Sequence, residues 1–253
     1  MKTPINSPPT ETKALPTLLS KIPKGSVVDS FLFFSGQLEL SLAQYDRFVC
    51  AHTTQYVVYE FWNCLIGDPK RIYNIATNEK FKFNESDFAY LQENWPKQHG
   101  EYIRSALFFT LNRCSDTGYI SSGNLSLDNF NRVSLAALNS FKAPKNFHLI
   151  HDVDLYESLI KDTSATHTIV NVGKYDYNLF DEGKSLGYEE TNVNHNRLKD
   201  ILSQTNKKMA LIYKNNKRLQ EHFENTNHDL IFVNKYGTIC SPSTASEVIV
   251  ANF

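Results

Sequence analysis

The segment Ile169–Tyr175 carries residue types that are suited to chemistry. An apolar, strand-like run leads into a tight turn at Gly173 and ends at the aromatic Tyr175. A tyrosine ring can stack on a planar base, and the amide oxygen of Asn171 can accept a hydrogen bond from an amine. The segment therefore predicts a site at the end of a buried strand.

Basic residues form a second group of candidates. The formal net charge of the chain is -1, so any nucleic acid must be attracted by a local patch rather than by a global field. Lys214, Lys217 and Arg218 lie close together in sequence, where they predict either a solvated face or contacts with phosphate. Arg113 is predicted either to contact phosphate or to pair with Asp116, and both options stay open.

These residues must be positioned by an alternating series of strands and helices. Apolar runs bounded by turn residues predict seven strands. The runs are Val27–Phe31, Arg47–Ala51, Phe147–Ile150, Thr168–Val172, Met209–Tyr213, Leu230–Asn234 and Glu247–Ala251. The last two are predicted to pair antiparallel. The alternation predicts an α/β fold with a mostly parallel sheet that is covered on both faces.

The middle of the chain has a different character. Residues 68–145 show helical spacing with few strand signals, and Asp128 is predicted to cap one of the helices. Thr191 is predicted to cap a later helix at Asn192–Ser203. The predicted domains are a flexible N-terminal arm over residues 1–16, an α/β domain over residues 17–67 and 146–253, and a helical insert over residues 68–145.

Composition excludes several classes of protein. The four cysteines stand far apart without a paired spacing, which argues against a zinc site or a disulfide framework and indicates a reducing compartment. The histidines lack metal-binding spacing, so no metal is predicted. No apolar run is long enough to span a membrane, and no secretory signal is present at the N-terminus. We therefore expect a cytoplasmic protein without a membrane or metal partner.

Two short motifs and the order of elements carry a resemblance to a known family. Leu111-Asn112-Arg113, followed by Gly118, resembles a segment of the helical insert in Dam-type adenine-specific DNA methyltransferases, which use S-adenosylmethionine (SAM). The closing residues Glu247–Phe253 are similar to the last strand of that family. The likeness extends from about Gly25 to Phe253 as a pattern. It implies a Rossmann-like, seven-stranded methyltransferase sheet with a helical insert, encoded by a bacterium or a phage.

The resemblance implies a cofactor turn after the first strand, in which glycines allow the backbone to approach the ligand. Asp29–Gly36 matches that turn, with Phe33 and Ser35 at the two glycine positions. Gly36 would restore the turn through a shift of one residue. His52 occupies the place of the acid that holds the cofactor ribose, and it offers one acceptor where a carboxylate offers more. The cofactor positions expected to be degenerate are Phe31, Phe33, Ser35, His52 and Val172.

The resemblance also implies a catalytic D-P-P-Y segment, which aligns with Val172–Tyr175. In that segment an acid and a proline carbonyl accept the protons of the adenine amine, and the aromatic ring stacks on the flipped base. Val172 supplies no acceptor, and the two prolines are replaced by Gly173 and Lys174. Tyr175 can still stack, while Asn171 stands one position early as an acceptor.

The main hypothesis is a catalytically inactive methyltransferase homologue that has no cofactor and binds nucleic acid or a protein. In one version of it the protein is a subunit of a larger assembly. Its DNA would contact a local basic rim. The predicted nucleic-acid-binding residues are Arg113, Lys174, Tyr175, Lys214, Lys217 and Arg218. An active, divergent SAM-dependent methyltransferase that uses Asn171 and Tyr175 is the first alternative. A structural or assembly protein, for instance in a phage, is the second.

Overall fold

A seven-stranded sheet forms the centre of the larger of two units in this computed structural model, which describes residues 3–6, 11–78, 84–121, 123–175, 193–224 and 226–253. The sheet unit comprises the described residues of 9–54, 144–178 and 192–253. The helical unit comprises the described residues of 1–8 and 55–143.

The strands follow the order that the alternating pattern predicts. They are β1 (Val27–Phe31), β2 (Phe48–Thr53), β3 (Phe147–His151), β4 (His167–Gly173), β5 (Lys208–Lys214), β6 (Asp229–Val233) and β7 (Glu247–Ala251). Their order in the sheet is β3-β2-β1-β4-β5-β7-β6. Pairs from β3 through β5 are parallel, and β7 is antiparallel to both β5 and β6. The predicted α/β fold, with a Rossmann-like sheet of methyltransferase type, is confirmed.

Ten α-helices lie among the described residues. They are α1 (Leu15–Lys21), α2 (Gln37–Gln44), α3 (Tyr56–Gly67), α4 (Pro69–Ala76), α5 (Glu85–Asn94), α6 (Glu101–Cys114), α7 (Arg132–Asn139), α8 (Leu155–Ile160), α9 (His195–Gln204) and α10 (Lys217–Phe223). In the sheet unit, α2 packs on one face of the sheet, where Ser30 of β1 donates to the buried Glu39. Because side chains alternate along a strand, Asp29 and Phe31 point to the opposite face.

Two predicted helix caps require correction. The side chain of Asn131 caps α7 by accepting from the backbone of Val133 and Ser134, so the predicted cap Asp128 lies outside the helix. Asn131 is the N-cap because it directly precedes the first helical residue and forms a reciprocal capping box with Ser134. Helix α9 begins at His195 and is capped by Asn194. The cap predicted at Thr191 lies outside the described residues.

The chain reverses its direction of travel across the sheet at β1. From β1 it proceeds outward through β2 to β3, and it then returns to β4 on the other side of β1. In open α/β sheets, ligands bind beyond the carboxyl ends of the strands at such a switch point. The carboxyl ends of β1, β2 and β4 are therefore where a ligand is expected.

Aromatic side chains build the core of the helical unit. Phe61 stacks on Phe108 with ring centroids 4.7 Å apart, and Trp62 meets Phe141 edge to face at 5.7 Å. Arg104 of α6 pairs with the buried Glu60 of α3. Helix α3 belongs to this unit, so the unit begins earlier than the predicted insert at residue 68. No helix among the described residues has the length and apolar character needed to cross a bilayer.

Candidate functional site

The turn after β1 is filled by its own side chains. Leu32 adopts a left-handed conformation with φ of 61°, and the backbone amide of Phe33 donates to the carbonyl of His52 over 2.9 Å. The Phe33 side chain is 2% exposed, and its ring lies 5.8 Å from that of Phe147 in β3. Residues 31–36 are all buried. The phenyl ring at the expected first glycine position is therefore part of the hydrophobic core.

On the other face of β1, a buried hydrogen bond joins the strand to α2. The hydroxyl of Ser30 donates to Glu39 Oε1 over 2.9 Å, and both side chains are buried. Burial raises the pKa of Glu39, because the charged carboxylate loses its hydration. This carboxyl group therefore anchors α2 to the sheet and is turned away from solvent.

At the carboxyl end of β2, His52 lies between two aspartates. Its Nδ1 is 2.8 Å from Asp152 Oδ2, and its Nε2 is 3.6 Å from Asp29 Oδ1. The ring also stacks on Phe31 with centroids 4.3 Å apart and planes 19° apart. Thr163 donates its hydroxyl to Asp29 Oδ2 over 2.8 Å. The site joins the ends of β1, β2 and β3.

The charges in this site depend on one another. Burial by itself would lower the pKa of His52, but the hydrogen bond to Asp152 and the two carboxylate charges together raise that pKa to about 9. Burial opposes ionisation of Asp29, yet the interactions with His52 and Thr163 bring its pKa below the usual value. His52 is therefore an imidazolium at neutral pH, held by two carboxylates. It can donate hydrogen bonds but has no free acceptor for a ribose hydroxyl.

At the end of β4 the backbone is irregular. The pairing with β5 shifts register between Asn171 and Gly173, and Gly173 has a φ of 78°, a left-handed conformation that favours glycine. Asn171 is 6% exposed, and Val172 is fully buried. Asn171 and Val172, the two positions considered for the acceptor of the amine, therefore face the interior, while Lys174 is exposed.

Tyr175 lies in an aromatic cluster rather than in open solvent. Its ring stacks on that of His195 with centroids 4.4 Å apart and planes 25° apart. The rings of His222 and Tyr213 lie 5.9 and 6.3 Å away. Burial raises the pKa of the Tyr213 hydroxyl, which lies 3.2 Å from His195 Nδ1. One face of Tyr175 is thus already covered by a ring of this chain.

Two of the predicted nucleic-acid-binding cations are engaged inside the chain. Lys214 pairs with the buried Glu247 over 2.6 Å and also donates to the carbonyl of Glu11. Arg113 donates to main-chain and side-chain oxygens of residues 3–6, whereas Asp116 accepts from Asn124. Lys217 is 91% exposed and lies 3.6 Å from Glu221. Lys174 and Arg218 are also exposed.

Lys214→Ala should lower the free energy of unfolding by roughly 2–4 kcal/mol, because it leaves the carboxylate of Glu247 buried without its cation. Lys217→Ala removes the same charge from an exposed position and should change stability by no more than about 0.5 kcal/mol. Denaturant unfolding of both variants measures the difference. Equal stabilities would show that the Lys214 contact is not structural.

Several members of the site were missed in the sequence. Asp152 follows β3 directly, as His52 ends β2, so the expectation that strand ends meet could have identified it. Thr163 and Glu39 gave no signal, because each meets its partner only through folding of the intervening chain. The sequence places Glu247 in the closing strand and gives no sign of its buried ion pair. Glu247 also accepts from Thr12 Oγ1 and the backbone of Lys13.

No protein-family model matches the chain, and no curated protein matches it either. Among the described residues, no group of three or more His, Cys, Asp or Glu side chains is arranged to hold a metal ion. The fold and the geometry at the carboxyl ends of β1, β2 and β4 are therefore the features that bear on function.

Proposed function

We propose that this protein is a pseudo-methyltransferase: it keeps a methyltransferase-type sheet, does not transfer methyl groups, and acts by binding another macromolecule. Phe33 carries this proposal. Its buried ring occupies the turn after β1, against which a nucleotide-like ligand would need to lie. The side chains of this turn stabilise the sheet without a ligand.

The lack of an acceptor for the cofactor ribose is the second point of support. His52 stands where the resemblance implies a free carboxylate, and its ring is an imidazolium engaged with Asp152 and Asp29. Both ring nitrogens face these carboxylates, so His52 offers no acceptor to the ribose hydroxyls. The residues at this edge do not fit the methyl donor.

The groups expected to hold the target base give the third point of support. Val172 has no polar side-chain atom and is fully buried, so it offers no acceptor for an adenine amine. Tyr175 is stacked on His195, and a base could take only its other face or displace the histidine. The missing acceptor at Val172 and the covered face of Tyr175 both support a protein that does not transfer methyl groups.

A protein partner is favoured over nucleic acid. Of the six residues expected to bind nucleic acid, Arg113 and Lys214 are engaged within the chain and Tyr175 is half-buried. The other basic residues of this expected set are Lys174, Lys217 and Arg218, on a chain whose net charge is -1. Nucleic-acid affinity depends largely on the number of phosphates neutralised, so this small number predicts weak binding.

Isothermal titration of the full-length protein with SAM and with S-adenosylhomocysteine tests the proposal. We expect no heat of binding at micromolar concentrations of either ligand, because the turn after β1 is filled. Binding in that range, with transfer of a labelled methyl group to unmethylated DNA that is lost in Asn171→Ala, would contradict the proposal. That result would favour the active alternative.

A further inference from the structure

The helical unit holds a short segment of its own chain as if it were a bound peptide. Asn112, a fully buried residue of α6, pairs with both main-chain groups of Asn6. The Asn6 amide donates to Asn112 Oδ1 over 2.7 Å, and Asn112 Nδ2 donates to the Asn6 carbonyl over 2.8 Å. Asn112 Nδ2 also donates to the Gly118 carbonyl over 2.7 Å, which fixes the orientation of the amide. We refer to Asn112 and Arg113 together as the clamp.

Arg113 completes the clamp, because each of its three guanidinium nitrogens donates a hydrogen bond to the segment. Nε donates to the carbonyl of Pro4 over 2.5 Å, one terminal nitrogen donates to the carbonyl of Thr3 over 3.1 Å, and the other donates to Asn6 Oδ1. All three acceptors are neutral. Within the described ranges no carboxylate contacts this guanidinium, and burial lowers its pKa to about 10. A partly buried cation is thus compensated by dipoles alone.

The segment also has an apolar anchor. Ile5 is 2% exposed, and the Thr3 hydroxyl donates to its carbonyl over 3.0 Å. An apolar residue is therefore enclosed next to a residue whose main chain is paired and whose side chain faces a cation. These are the elements of sequence-specific peptide recognition, in which main-chain contacts give affinity and side-chain pockets give selectivity.

We propose that the clamp is a recognition site for a short acidic peptide, an apolar residue followed by an aspartate, and that Thr3–Asn6 covers it as a neutral intramolecular occupant. An aspartate at the Asn6 position would retain the acceptor and add the charge that Arg113 lacks. A partner segment with that pattern would therefore displace Thr3–Asn6. The N-terminal segment would set the threshold for partner binding.

A peptide is favoured over nucleic acid by the shape of the contacts. The Asn112 amide pairs with the N–H and the C=O of one residue, and the apolar side chain of Ile5 is buried beside them. Sugar and phosphate groups supply no apolar side chain for that buried position. The proposal rests on the suggested role as a protein-binding module. All its residues lie in the helical unit, so failure of the peptide test would leave the SAM titration result unaffected.

The first test measures competition in the full-length chain. The double variant Ile5→Ala, Asn6→Ala should weaken the intramolecular occupant. The probe is a fluorescent eight-residue peptide with the sequence of residues 1–8 carrying N6D, compared with the same peptide carrying the natural Asn6. We expect the acidic probe to bind the double variant about tenfold more tightly than the neutral probe. Its binding to the wild-type chain should be weaker than its binding to the double variant.

When Arg113→Gln is added to the double variant, the preference for the acidic probe should disappear. Arg132→Gln removes an exposed arginine of the same unit, and in the same background it should leave the preference unchanged. Equal affinity for both probes, or a preference that survives Arg113→Gln, would overturn the proposal. Tighter binding of a single-stranded oligonucleotide at the clamp would also overturn it.

A second measurement keeps the test decisive if the double variant does not fold. In the otherwise natural chain, Asn6→Asp should raise the melting temperature by roughly 2–6 °C at pH 7, because the new carboxylate meets Arg113. The gain should vanish in the Arg113→Gln background, as a double-mutant cycle would show. A melting temperature equal to or below that of the wild type would overturn the proposal.

Discussion

Replacing Phe33 with alanine should lower the free energy of unfolding by about 3–5 kcal/mol. The ring is 2% exposed and packs against Phe147, so its removal loses apolar burial and leaves a cavity beside Phe147. The same substitution at a ligand-binding turn would cost little, because such a turn keeps space for its ligand. Urea unfolding, followed by far-ultraviolet circular dichroism, measures the change.

Phe48→Ala is the matched control. Phe48 begins β2 in the same sheet unit, yet its side chain is 52% exposed. Its replacement should cost no more than about 1 kcal/mol, because little burial is lost. If Phe33→Ala proved as mild as Phe48→Ala, the ring would not be part of the core. The main support for a filled cofactor turn would then be lost.

The stability of the protein should decrease as pH rises from about 6.5 through 9, and His52 should account for about 3 kcal/mol of that loss. The sign follows from the raised pKa. The folded state keeps the imidazolium proton to about pH 9, whereas the unfolded state releases it near 6.5. The contribution of His52 to stability is complete below pH 6.5. It is lost as pH rises through 9, where the imidazolium in the folded state loses its proton. Urea unfolding at a series of pH values measures it.

His52→Asn is the control, because it removes the titrating ring and leaves a neutral amide at the same position. The variant should be less stable than the wild type at pH 7, and the difference should narrow toward pH 10. Buried groups such as Cys114, whose pKa burial raises to about 12, also reduce stability at high pH. They do so equally in both proteins. A difference that stays constant from pH 6 to 10 would show that His52 is not held as an imidazolium.

Phe33 and His52 lie at the carboxyl ends of the neighbouring strands β1 and β2, beside the switch point. The Phe33 ring fills the space that a ligand would require after β1. His52 lacks the free hydrogen-bond acceptor that a ligand would require after β2. A sheet whose ligand edge is stabilised by its own side chains has no need of a cofactor to fold. Such an edge is what we expect of a protein that keeps an enzyme fold for binding.

The number of strands and their mostly parallel direction could be predicted from the sequence. Runs such as Thr168–Val172 and Met209–Tyr213 are apolar and rich in strand-forming residues, and helical spacing separates them. This alternation permits few topologies, because connections between parallel strands are short and right-handed. The resemblance of the closing residues Glu247–Phe253 pointed to the same sheet, in which β7 lies between β5 and β6.

The partners of the candidate site residues were decided only by the tertiary structure. His52 meets Asp152 a hundred residues further along the chain, and Arg113 meets Thr3–Asn6 more than a hundred residues earlier. Local spacing contains no information on such pairs, because they depend on strand register and on how distant segments pack. The residue types indicated which groups carry charge. Only the fold determined that Lys214 faces Glu247, that Phe33 faces the core and that the Arg113 charge has no counter-ion among the described residues.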